Sequence, residues 1–386
     1  MPLNTIPNTG LTSRGYPSDR ITTPIIINGD MSIAQRGTSI NNTSGAPYLI
    51  DRFRNQAVYG STAPTATIAI SQSTTVPTGQ GFVKSTKYDV TTAQASLTTD
   101  TGYALEQRIE GQNLQMIKKG TSNAEKLTLA FWVRSNKTGT YIAELADMDN
   151  SRQCSQAYTI SSADTWEKKV LNYPADTTGA YDNDNATSLK LRIWVAAGGT
   201  YTSGTLATTW AATSAGNSAV GQVNLVDSTS NEWYITGVQL EVGEFDSTSI
   251  PSFPFESFDS NFMKCCRYFQ QIGDGVYTDT SLGGNRLAIG QRDGSGSTSG
   301  YPTVPVLNQL RSTPSITHNN LNVRQDGSNK GISSIDTIKN FGMTVSFNLT
   351  ADSNFSTGET FQIRTTTDRD WETFKLLCVI EGVDLN

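Results

Sequence analysis

A single histidine, His318, serves the whole 386-residue chain. Any histidine-based metal site or Ser–His–Asp triad would have to be built on it alone. It stands in Ser315-Ile316-Thr317-His318-Asn319-Asn320, a polar strand end without a nucleophile motif, and reads as a solvated loop residue. Cysteine is scarce as well, with Cys154, Cys265, Cys266 and Cys378. Adjacent Cys265 and Cys266 are poorly placed to pair with each other, and a chain of this size needs no stapling. Four free thiols packed as small apolar groups are therefore expected. No run approaches the ~20 apolar residues of a membrane span, and Met1-Pro2-Leu3-Asn4-Thr5 lacks a basic start followed by an apolar stretch. Folding in a cytoplasm is expected, with no membrane span.

Charge is thin. Only 17% of residues are charged and the net charge is −6, so solubility rests on Ser, Thr, Asn and Gly. Lys and Arg are scattered and form no stripe that could neutralise a phosphate backbone, which argues against a nucleic-acid partner. There is no phosphate loop or dinucleotide fingerprint; Gly198-Gly199 and Gly283-Gly284 read as turns. The closest carboxylate pairs, Asp147 with Asp149 and Asp182 with Asp184, lie in Asn/Asp-rich loops that turn formation explains. Sequence spacing does not establish the ~5 to 9.5 Å that glycoside hydrolysis requires. Neither loop continues into the Gly and Glu of a helix-loop-helix calcium site. The expectation is a protein without catalytic residues, cofactor or metal.

Strand signal dominates what is present. Residues 1–24 carry Pro2, Pro7, Gly10, Gly15, Pro17 and Pro24 without apolar periodicity, and read as an extended arm. From residue 25, short Val/Ile/Thr/aromatic runs alternate with Gly/Asn/Asp/Ser clusters. In 127–134, Leu127, Leu129, Phe131 and Val133 share a face; in 189–195, Leu189, Leu191, Ile193 and Val195 do; in 233–242, Tyr234, Val238, Leu240 and Val242 fall together. This predicts an all-β fold: an antiparallel two-sheet sandwich over 25–250. A connector with a short helix follows over 251–272, the helical periodicity running from Asp259 to Ile272 through Phe262, Cys265, Cys266 and Phe269. A second, smaller β domain is predicted for 273–386.

With the apolar faces inward, Trp132 and Arg134 turn outward from one strand, and Lys190, Arg192 and Trp194 from another. Flat aromatic rings pack against the C–H faces of sugars, and arginine donates in a fixed fork to hydroxyl or acidic groups. Trp132, Arg134, Arg192 and Trp194 are thus candidate glycan-binding residues. The same residue types also suit mutual stacking, cover by a loop such as 201–210, or a subunit interface.

Several stretches carry a resemblance in a fixed order. They are Ile27-Asn28-Gly29-Asp30-Met31-Ser32-Ile33-Ala34-Gln35-Arg36-Gly37, Asp51-Arg52-Phe53, Tyr103 to Glu110, Leu127 to Gly139, Ile235 to Gly243, Pro254-Phe255-Glu256 and Lys264 to Phe269. Together, over roughly 25–272, they resemble a domain of tail-fibre and other virion appendage proteins of tailed bacteriophages. The resemblance implies a jelly-roll sandwich similar to carbohydrate-binding modules, set in a fibre or spike. Tyr301 to Val306 and Leu310 to Ile316 resemble the small β domain that often follows, whereas Trp371 to Gly382 departs from the family's short acidic terminal strand. Implied with it are a homotrimer, docking to other virion proteins through the arm, and a bacterial surface glycan as receptor. A capsid decoration, head fibre or adaptor without receptor binding is the alternative. A glycan depolymerase would instead need two opposed carboxylates in a cleft.

Overall fold

The computed structural model describes residues 24–272, 286–292, 298–318, 321–325, 328–340, 344–352, 360–365 and 374–377. The predicted arm, apart from Pro24, and Cys378 lie outside the described residues. Twelve strands build the first body: β1 (Ser39–Asn42), β2 (Phe53–Val58), β3 (Thr67–Ser73), β4 (Ser85–Thr92), β5 (Gly102–Glu110), β6 (Leu127–Ser135), β7 (Gly139–Asp147), β8 (Arg152–Ile160), β9 (Glu167–Tyr173), β10 (Thr187–Ala197), β11 (Ala211–Ala212) and β12 (Glu232–Val242). They form two six-stranded antiparallel sheets, β1-β3-β4-β12-β6-β9 and β11-β8-β7-β10-β5-β2. From β4 onward the chain repeatedly crosses between the sheets, so the sandwich is a jelly roll.

One apolar core joins the inner faces. Leu129, Phe131 and Val133 of β6 meet Leu189, Leu191, Ile193 and Val195 of β10, as the alternation predicts. Trp233 packs its ring 5.3 Å from Tyr88, whose hydroxyl donates to Asn55. Burying the hydroxyl with an acceptor avoids the cost of leaving a polar group dry.

β12 departs from the sequence reading. Its ladder to β6 shifts register between Thr236 and Gln239, around Gly237 at φ +65°. The extra residue reverses the alternation. Trp233 and Ile235 therefore share the core with Val238 and Leu240, while Tyr234 turns to the outer face and is not grouped with them. Simple period-two counting cannot anticipate this. The bulge also leaves room for Phe82, since a Cβ on Gly237 would come within 2.5 Å of its ring.

The helix is shorter than predicted. α1 (Gly199–Thr202) is a single turn, and α2 spans Phe258–Cys266. The Ser257 side chain caps α2 by accepting from the Ser260 N–H, in place of the Asp259 or Ser260 cap that the sequence suggests. Instead of continuing, residues 269–272 form a strand, β13 (Phe269–Ile272). Helical propensity loses here to an available ladder. β13 pairs with β21 (Phe374–Leu377), which also pairs with β16 (Ser315–His318). His318 thus ends a strand.

The remaining strands are β14 (Arg286–Arg292), β15 (Ser299–Pro305), β17 (Leu321–Gln325), β18 (Ser328–Asn340), β19 (Thr344–Ala351) and β20 (Thr360–Thr365). They close as an antiparallel barrel in the order β14-β15-β19-β18-β17-β20. Closure leaves no free edge in that ring. The chain is thus all-β, a jelly-roll sandwich followed by a short helix and a smaller β unit.

Gly237→Ala should destabilise the sandwich by about 1–3 kcal/mol, through a positive φ and a collision with Phe82. Urea denaturation followed by tryptophan fluorescence would measure it; an unchanged midpoint would refute the role given to the bulge.

Candidate functional site

The four sequence-predicted residues lie on different sheets and on opposite outer faces. Trp194, on β10, is 1% exposed and cannot serve as an open stacking platform. The chain after β10 folds back over it. Gly198 N–H donates to Thr101 O, the Tyr201 ring lies 5.0 Å from Trp194, and Ala219 N–H returns to Tyr201 O. Trp194 packs with Ala104, Ile142 and Ala219, and its indole N–H donates to Glu144 at 2.9 Å. Cover by the loop after β10, which includes residues 201–210, is what occurs.

Arg192 is likewise committed internally. It bridges Glu106 at 2.9 Å and Glu144 at 3.2 Å. Glu106 also receives Arg108 at 2.9 Å and Arg54 at 3.5 Å, and its side chain is fully buried. Burial alone would raise the Glu106 carboxyl, but Arg192, Lys190 and Arg108 outweigh it and bring it from 4.5 to about 2. A carboxyl so acidic is ionised at neutral pH and is unsuited to the general-acid role of a glycosidase.

The loop carboxylates are also used structurally. Asp147 pairs with buried Lys119 at 2.6 Å and accepts from the Asp149 and Asn150 amides. Asp149 accepts from the Asp182 N–H, and Asp184 from Ala186 N–H. Among the described residues, no group of three or more His, Cys, Asp or Glu side chains is placed to hold a metal ion. Cys154, Cys265 and Cys266 are buried free thiols.

The outer face of the first sheet is different. Tyr234 on β12 is flanked in register by Lys87 of β4 and Arg134 of β6. Both cations reach over its ring, Arg134 at 5.0 Å and Lys87 at 5.8 Å, and Trp166 meets it edge-on at 6.2 Å. Lys87 is held by Glu232 at 2.7 Å, and Arg134 by Asp164 at 2.9 Å. One register step along, Trp132 lies between Thr236 and Lys168. Trp132 and Trp166 are half-buried and Lys168 is exposed.

Beyond this row, the segment after β12 covers the sheet. Asn172 donates to Phe245 O, Phe245 N–H to Thr128, and Gln239 to Pro251 O. Outside that cover the face holds half-buried Trp132 and Trp166 beside a buried Tyr234, with three cations, Arg134, Lys87 and Lys168. Tyr234, Lys87, Trp166 and Lys168 were missed by sequence reasoning. The bulge hid Tyr234, and no local signal places 167–173 beside β6.

The fold and this face describe a jelly-roll sandwich with an aromatic, cation-flanked sheet surface. No family model matches the chain, and no curated protein matches it. Solved structures similar to it include the enzymatically active domain of tailspike protein 4 from Bacteriophage CBA120, at 13% identity over 57% of this chain, TM-score 0.30. The chain spans only 21% of that tailspike structure. A family 11 carbohydrate-binding module from Clostridium thermocellum, in complex with a β-1,3-1,4-mixed-linked tetrasaccharide, is 9% identical over 53% of this chain and 99% of its own, TM-score 0.26. The CBM22-1 xylan-binding domain of Xyn10C from Paenibacillus barcinonensis is 11% identical over 49% and 86%, TM-score 0.22.

Glu106→Gln should cost about 3 kcal/mol, because it leaves a crowd of buried cations without its main anion. The folded Glu106 carboxyl lies below its unfolded value, so its contribution is complete above pH 4.5 and is lost as pH falls toward 2. Denaturation midpoints measured across that window should fall less steeply in the variant than in the parent; equal slopes would count against the network.

Proposed function

We propose that the chain is a non-enzymatic structural subunit of a bacteriophage virion appendage, a tail fibre or spike, whose sandwich binds a glycan on the host surface. The observation that carries the binding is the half-buried Trp132 on the outer face of the first sheet, between exposed Lys168 and the Arg134–Tyr234–Lys87 stack. A flat ring fixed by its strand takes up the C–H face of a sugar at little entropic cost, and a flanking cation supplies directional hydrogen bonds. Trp194 and Arg192 leave the binding set.

The virion part of the reading rests on the resemblance of residues 25–272 to appendage domains. Assembly as a homotrimer would give cover to exposed apolar side chains at the junction after the sandwich, among them Phe255, Phe258 and Leu307, each more than half exposed. The arm 1–24 docks to other virion proteins in this reading. Location in the virion follows, after folding in the host cytoplasm.

Trp132→Ala should lower binding to host cells by about 2 kcal/mol, roughly thirtyfold, with folding and assembly intact by light scattering. Trp194→Ala should act on stability instead, costing about 3–5 kcal/mol for a large buried ring. A Trp132→Ala oligomer that binds host cells as well as the parent would turn the reading to a decoration or adaptor subunit whose Trp132 face is an interface.

A further inference from the structure

Building on the glycan-binding reading, we infer that the ligand of the Trp132 face is an acidic polysaccharide bearing carboxylate groups, and that Lys168 receives the carboxylate. The charges on this face are unequal in their commitments. Lys87 faces both Glu232 and Asp89, at 2.7 and 3.3 Å, and Arg134 is engaged by Asp164 through its side chain and its backbone carbonyl. Lys168 has no ion-pair partner among the described residues, although it stands directly across the ladder from Trp132.

Its neighbours explain why it stays unpaired. Along β9, Val170 and Asn172 share its outward face, and Asn172 is already tied to Thr128 and Phe245. Glu167 points the other way and holds Lys169 together with the Ser161 and Ser162 amides. Desolvation lowers the Lys168 ammonium below its ordinary value, with no anion to offset it. A sugar stacked on Trp132 would thus bring its substituents next to a cation that lacks a counter-charge. A carboxylate there gains a charge-assisted hydrogen bond without displacing an existing partner. A neutral sugar hydroxyl gains less.

The test uses the full-length chain and a panel of bacterial capsular polysaccharides and exopolysaccharides, each native and after reduction of its uronic acids to neutral sugars. Binding is measured by calorimetry at low and high salt. Binding should be confined to native acidic members, weaken with salt, and drop roughly tenfold in Lys168→Met and roughly thirtyfold in Trp132→Ala. Binding that survives carboxyl reduction, or is untouched by Lys168→Met, overturns this inference and leaves glycan binding standing. No binding to any member, from a folded oligomer, overturns both.

Discussion

A carboxylate taken out of water needs cations and donors around it, and the sandwich takes two of them out of water on one strand. Glu106 and Glu110 are both fully buried on the outer face of β5, alternating with core residues Leu105 and Ile109. Each dictates what lies above it. Glu106 collects Arg54, Arg108 and Arg192. Glu110 collects Arg267 at 2.8 Å, the Tyr268 hydroxyl at 2.6 Å, and Gln112. Burial pushes Glu110 up, and these bonds more than reverse it. Arg267 and Tyr268 directly follow α2, so a buried charge on the outer face of β5 fixes where the connector meets the sandwich.

The resemblance motifs acquire a physical meaning at this junction. Asn28 donates to Ile33 O and Asp51 O and accepts from the Ile33 N–H, tying the first motif to the second. Asn261 of α2 reaches Asp30 and Ser32. Arg52 stacks 3.5 Å over Tyr268, and Arg36 stacks 3.7 Å over Phe269. Residues far apart in the chain meet because they build one joint. They specify architecture, which is why the motifs spoke to fold more directly than to ligand.

Much of the fold was legible in the sequence. The core faces of β6 and β10 follow from strict alternation, and the scarcity of helical periodicity gave the all-β class. Two things were not legible. A one-residue bulge at Gly237 reversed β12 and hid Tyr234, because alternation counting assumes an unbroken ladder. The burial of Trp194 depended on a loop returning across the sheet, which strand periodicity does not encode. Of the candidate glycan residues, Trp132 and Arg134 stay half-buried on the outer face of the first sheet and gain Tyr234 and Trp166 as neighbours.

The ladder between β13 and β21 joins Phe269 to Leu377, more than a hundred residues later in the chain. During synthesis β13 emerges long before its partner exists. The sandwich has all twelve of its own strands by Val242 and can consolidate while the barrel is still being made. The last ladder then closes a loop of high contact order, the slow class of folding step. Until β21 is made, residues 269–272 lack the partner strand they pair with among the described residues, and an unpaired strand is a template for pairing with neighbouring copies.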